Sequence, residues 1–228
     1  MKAAIKRRAH NWFALNNKEA KRMKTIPMIF NQAMVSALVH GNKTVTRRPM
    51  KLETKDSDLH CLLKPNEVAG EVNNGNFQNS LYKPGDLIWV RETFCIGRID
   101  ELDAEHPADR ELIIEQCTGD NNYITKSLAI QEGVTELYAV KWKPSIHMPR
   151  KASRLTLRIT AVYCERLQNI TKEQAKREGV SPTGCTEGFW VKAYQMLWDS
   201  IYSNWDKNPW VWVIEFDVIH KNVDEVKA

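Results

Sequence analysis

The segment Gly41-Asn42-Lys43-Thr44-Val45-Thr46-Arg47-Arg48 gathers three cations, Lys43, Arg47 and Arg48, with a glycine and two threonine hydroxyls. Main-chain N–H groups near a glycine, a reachable ammonium and hydroxyls in so short a span suit recognition of an anion or of the polar edge of a base. The plainer alternative is a cation-rich strand face that water solvates. Two further sets carry related chemistry. Arg91 and Glu92 follow the apolar run Leu87-Ile88-Trp89-Val90; either they pair with each other at the edge of a cleft, or Arg91 is left for a phosphate. His147, Arg150 and Arg154 sit on and just after a loop bounded by Pro144 and Pro149. Cations on a stiff loop suit phosphate or base-edge contacts, and the alternative is a loop pinned against acidic residues elsewhere.

Composition narrows the field. The chain has 228 residues, 43% hydrophobic and 27% charged, which allows an ordinary packed core. It has no apolar run of the length a bilayer needs, so no membrane partner is expected. Residues 1–24 lack the continuous apolar region and cleavage site of a secretory signal, and a cytoplasmic location follows as the expectation. The five cysteines, Cys61, Cys95, Cys117, Cys164 and Cys185, are odd in number and widely spaced. With no CxxC and no close Cys/His cluster, neither a metal nor a cofactor is expected, and the thiols read as reduced and mostly buried. Net charge is +5, and residues 1–24 hold eight lysines and arginines against Glu19 alone. Such an arm suits the phosphate backbone of RNA or DNA, through counterion release; it is otherwise a solvated terminus.

The elements that position these residues are legible in part. Asn31–His40 predicts a helix, with Asn31 as N-cap, Met34, Ala37 and Leu38 at helical spacing, and Gly41 just past its end. Lys43–Arg48 reads as extended, ended by Pro49. Residues 51–81 read as a loop or insertion and 99–136 as an acid-rich excursion with a strand at Glu111–Gln116. Leu87–Val90 and Leu137–Trp142 read as strands. In Leu155–Val162, Leu155, Leu157, Ile159 and Ala161 alternate with polar residues, a half-buried strand. Thr171 with Gln174 forms a capping-box spacing for a helix that Gly179 ends. Gly188–Asn204 predicts a longer amphipathic helix with Phe189, Ala193, Met196, Leu197 and Ile201 inward. Trp210–Val218 is apolar enough at its start to be a central strand. Trp89, Trp210 and Trp212 read as core, with Trp142 and Trp190 the better candidates for exposure. The order predicts an α+β domain, a curved sheet or small barrel covered by a few helices.

Several of these segments resemble one family. Gly41–Thr46 is similar to the GxKTxT signature of ASCH domains, relatives of the RNA-binding PUA domain. Gly85-Asp86-Leu87-Ile88-Trp89-Val90, Leu155–Val162, Leu167–Gly179 and Val213-Ile214-Glu215-Phe216 resemble its later segments in order. Together they cover somewhat under half the chain. Thr46-Arg47-Arg48, Trp89–Thr93 and Trp142–Arg154 resemble the longer members common in phages and prophages. The resemblance implies a PUA-like, mostly antiparallel β-barrel with helices at its rim and a cleft where the GxKTxT turn meets the barrel mouth. Residues 1–24, 51–81 and 95–136 have no counterpart in it, so the expected organisation is one domain over residues 25–220 with insertions at about 51–81 and 95–136, a basic arm over 1–24 and a tail over 221–228.

The resemblance also implies a chemistry. Small bacterial members hydrolyse the amide of N4-acetylcytidine with a lysine, a threonine and a glutamate, which fall by motif position on Lys43, Thr46 and Glu178, with Glu173 as a nearby alternative to the last. Lysine can take the proton of a threonine hydroxyl that is too weakly acidic to attack unaided, and adjacent Arg47 and Arg48 would lower the lysine's affinity for a proton. A glutamate with its pKa raised by burial can protonate a leaving amine. Residues three apart on a strand face opposite sides, so Lys43 must lie in the turn before the strand if it is to share a site with Thr46. Two classes of function are therefore expected: a hydrolase of a modified nucleoside or of RNA, a ribonuclease included, or a non-catalytic RNA-binding module. Arg47, Arg48, Arg91, His147, Arg150 and Arg154 are the expected binding residues in either.

Overall fold

The structure is a computed structural model that describes residues 23–96, 123–125, 142–180 and 189–226. In chain order its elements are β1 (Thr25–Ile29), α1 (Gln32–Val39), β2 (Val45–Pro49), β3 (Thr54–Lys55), β4 (Leu62–Leu63), α2 (Pro65–Asn73), β5 (Leu87–Arg91), β6 (Phe94–Ile96), β7 (Tyr123–Thr125), β8 (Thr156–Arg166), α3 (Lys172–Arg177), α4 (Trp190–Tyr202) and β9 (Trp210–Ile219). Five strands form the central sheet in the order β1-β5-β8-β9-β2, and two short ribbons, β3-β4 and β6-β7, lie outside it. β1 runs parallel to β5, and the other three pairings are antiparallel. The architecture is α+β. Among the described residues the expected barrel does not close, because β1 and β2 stand at the two open edges. Each of these edge strands contains a proline, Pro27 and Pro49. Among the described residues no helix is long and apolar enough to cross a membrane.

Local chemistry explains the helix ends. Asn31 accepts a hydrogen bond from Met34 N at 2.9 Å and so caps α1. Thr171 and Gln174 bond each other's main-chain N–H at 3.3 and 2.9 Å, opening α3 with a reciprocal cap. Gly41 and Gly179 follow α1 and α3 at φ +72° and +79°, a region that costs glycine little.

Packing puts a layer on each face of the sheet. On one face α1 and α2 cover Ile88, Leu157, Ile214 and Phe216; on the other α3 and α4 cover Val45, Val211 and Val213. With both faces covered, β9 needs the continuous apolar start it has. Trp89 and Trp212 are buried, Trp210 packs against the core, and Trp142 and Trp190 are half-buried.

Three expectations need correction. Residues 51–81 contain α2, whose Val68, Ala69 and Val72 are buried in the core. Pro65 in its first turn, and Glu67 accepting from Lys64 N at 2.6 Å, start this short helix. In β8 Leu157 and Ile159 are buried and Arg158 and Thr160 exposed, though Thr156 is buried as well; a register irregularity against β9 between Ile159 and Ala161 then reverses the alternation, so Val162 and Cys164 are the buried residues beyond. In α4 the inward residues are Tyr194 and Trp198, whereas Phe189, Met196 and Ile201 are exposed. Both sides of α4 are apolar, and the larger aromatic side chains take the buried side. Of the cysteines, Cys164 is buried, its thiol pushed up to about 12 by burial, and Cys61 is exposed. The expected strand at Glu111–Gln116, nearly all of Leu137–Trp142 and the arm over residues 1–22 lie outside the described residues.

Candidate active site

The turn after α1 is held from three sides. Asn42 N and Lys43 N both donate to Ala37 O, at 2.9 and 3.0 Å, folding the chain back on α1. Thr44 N donates to Arg177 O at the end of α3, and Thr44 O accepts from Phe216 N of β9. Lys43 also pairs as a single β-bridge with Glu178. This contact is close enough that only glycine fits at 179: a Cβ there would lie 2.7 Å from Ala37 Cβ and 2.9 Å from Lys43 Cβ. Lys43 thus lies in the turn and not in β2, as sharing a site with Thr46 requires.

The Lys43 side chain is fully buried, and its Nζ donates to Glu178 Oε2 at 2.7 Å and to Glu178 O at 2.8 Å. The other carboxylate oxygen, Glu178 Oε1, accepts from Arg47 Nη1 at 3.0 Å. Arg47 continues the network through Nη2 and Nε, which donate to Glu165 Oε1 at 2.7 and 3.1 Å. Two cations and two carboxylates balance, which is the condition under which charge is tolerated at such depth. Burial lowers the Lys43 pKa from its ordinary 10.5; Glu178 opposes the shift, and Arg48 and Arg47 add to it. The expected effect of the two arginines is present but is smaller than that of burial. For Arg47 burial is outweighed by Glu178 and Glu165, and its pKa rises.

Thr46 and Glu178 share a cleft with Arg47 and Arg48, walled by Met34 of α1 and by Tyr194, Leu197, Trp198, Ile201 and Tyr202 on or at the end of α4. It is narrow and open to solvent at its mouth. The Thr46 hydroxyl is buried and has no hydrogen-bond partner among the described residues. Arg48 reaches from β2 to the opposite edge of the sheet, donating through Nη2 to Ile29 O at 2.9 Å, with its guanidinium 5.1 Å over the Phe30 ring. Glu173, the alternative to Glu178, is exposed, whereas Glu178 is 2% exposed.

The remaining expected residues gather elsewhere, and none of them lines this cleft. Arg91 stacks on Trp89 and donates to Ile146 O. His147 is exposed in a 3-10 turn. Arg150 bonds Asp224 Oδ1 at 2.7 Å and Thr25 Oγ1 at 2.6 Å. Arg154 bonds Glu92 Oε1 at 2.9 Å, so Glu92 pairs with an arginine distant in sequence. The site also includes two residues that sequence reasoning missed, Glu165 and Tyr194. Glu165 gave no signal. Tyr194 belongs to a stripe, Trp190, Tyr194, Trp198 and Tyr202, at four-residue spacing that could have revealed the buried face of α4.

No protein-family model and no curated protein matches the chain. Among solved structures the chain is similar to protein EF3133 from Enterococcus faecalis V583, described as family DUF984, at 10% identity and a TM-score of 0.39, with 100% of each chain covered. A likeness of that degree carries no argument about chemistry.

Proposed function

We propose that the cleft hydrolyses the amide of an acylated nucleobase of the N4-acylcytidine class, with Thr46 as nucleophile, Lys43 as base and Glu178 as acid. One observation carries the reading: a buried threonine hydroxyl with no partner among the described residues opens on the same cleft as a carboxylate that is bonded to a fully buried lysine. The Lys43–Glu178 ion pair and its neutral tautomer, amine plus carboxylic acid, differ only in the position of one proton. Burial disfavours the ammonium form of Lys43 and so favours the amine that a base must present.

In this mechanism the Thr46 hydroxyl attacks the acyl carbon and gives its proton to the Lys43 amine. The C–N4 bond then breaks and Glu178 protonates the departing exocyclic nitrogen, leaving cytidine and an acyl ester on Thr46. Water, deprotonated by the same pair, releases the acid and restores the hydroxyl. The reading also takes the open sheet, with its edges bridged by Arg48, as the PUA-like barrel of the ASCH family. The test is incubation with N4-acetylcytidine and longer acyl analogues, read by chromatography. Wild type should release cytidine; Lys43→Ala and Thr46→Ala should lose turnover while staying folded, and Glu178→Gln should slow it. Full turnover in Lys43→Ala refutes the reading.

A second reading is favoured by the occupation of both Glu178 oxygens, which is also how a purely structural ion pair is made. The chain is then a non-catalytic RNA-binding module, with Arg91, His147, Arg150 and Arg154 contacting phosphates. RNA binding that falls steeply with salt, without turnover of any acyl substrate, would favour it.

A further inference from the structure

The amide reaction places a negative charge on the acyl oxygen as the nucleophile adds, and a site that accelerates it needs a donor aimed there. The cleft-lining side chains can be sorted by what their donors already do. Arg47 is bonded to Glu178 and Glu165. Arg48 donates to Ile29 O and Arg47 O. Trp198 Nε1 donates to Asn204 Oδ1 at 2.7 Å. Tyr194 differs. It is 2% exposed and lines the cleft with Thr46 and Glu178, and its hydroxyl makes no hydrogen bond among the described residues.

The Tyr194 ring is fixed. It packs at 6.2 Å from both Trp198 and Trp205, and the Arg47 guanidinium lies 6.0 Å over it. A ring held by three neighbours, with a hydroxyl that serves none of them, is built like a donor for a ligand. We propose that Tyr194 donates a hydrogen bond to the acyl oxygen of the substrate as the oxyanion forms on attack by Thr46. The assignment rests on the amidohydrolase reading and extends it to a residue on α4. Burial, and after it the charge of Glu178, hold the tyrosine pKa well above its ordinary 10, so the proton is present throughout the neutral range.

The test compares wild type, Tyr194→Phe and, as a control, Tyr163→Phe, whose hydroxyl lies outside the cleft and accepts from Gln174 Nε2. With N4-acetylcytidine, Tyr194→Phe should lower kcat about 100-fold while KM stays within about threefold, and its melting temperature should match wild type. Tyr163→Phe should keep wild-type kcat. A Tyr194→Phe enzyme with kcat within about threefold of wild type, or with a raised KM alone, overturns the assignment and leaves the hydrolase standing. A Tyr194→Phe chain that does not fold also overturns it, since the hydroxyl would then hold the structure. If wild type turns over no acyl substrate, the assignment falls together with the hydrolase.

Discussion

Lys43, Arg47, Glu165 and Glu178 are a closed set of charges, and the titration of Lys43 is written into stability. In the folded chain the Lys43 pKa lies below 10.5 because burial disfavours the charged form. Between that lowered value and 10.5 the unfolded chain binds more protons than the native one, so the Lys43 contribution makes stability rise with pH across that window. Lys43→Met should remove the rise, and unfolding midpoints of both proteins over the alkaline range would show it. Tyr194 acts in the opposite sense. Its raised pKa makes the native chain keep a proton that the unfolded chain gives up, so its contribution falls as pH passes 10. The comparison with Lys43→Met isolates the lysine because Tyr194 is common to both.

At the scale of elements, the site depends on two backbone irregularities. The first is Gly179. Its φ of +79° and the 2.7 Å approach to Ala37 let α3 end against the Lys43 turn. Gly179→Ala should destabilise the protein by more than the roughly 1 kcal/mol of backbone strain alone, because both opposing atoms are fixed to main chain. Gly75→Ala is the comparison, since φ is +89° there but the space is open; denaturant unfolding of the two variants measures the difference. The second is the irregularity in β8. Without it, Glu165 would share the face of Leu157 and Ile159, and the reversal turns it toward Arg47. These two features mark what the sequence shows and what it hides. Asn31, Thr171 with Gln174, Gly41 and Gly179 act on neighbours within a few residues, so their caps and turns are legible. Lys43, Thr46 and Glu178 are singled out through a motif; Thr46 and Glu178 line one cleft, and Lys43 lies behind it, bonded to Glu178. The Arg47–Glu165 pair spans 118 residues, and the strand irregularity that enables it has no local mark. The buried side of α4 depends on what packs against it, so apolar spacing alone chose the wrong stripe.

At the scale of the whole molecule, helices cover both faces of the sheet and, among the described residues, leave its two edges, and there the prolines of β1 and β2 have a consequence for behaviour in concentrated solution. In β1, Lys24 O and Phe30 N bond to β5, so even-numbered residues turn inward and Pro27 faces out. In β2, Thr44 O and Met50 N bond to β9, which likewise leaves Pro49 facing out. Each proline therefore removes an N–H from an open rim and no bond from the sheet. A second copy that approached either rim would find a gap in the ladder it needs, so strand-to-strand growth into fibrils is interrupted on both sides. Pro27→Val, on an exposed position, should leave the melting temperature near wild type and raise the scattering of concentrated solutions on standing. A proline that looks like a defect in a strand thus works, at the rim, as a stop against indefinite extension of the sheet from one molecule into the next.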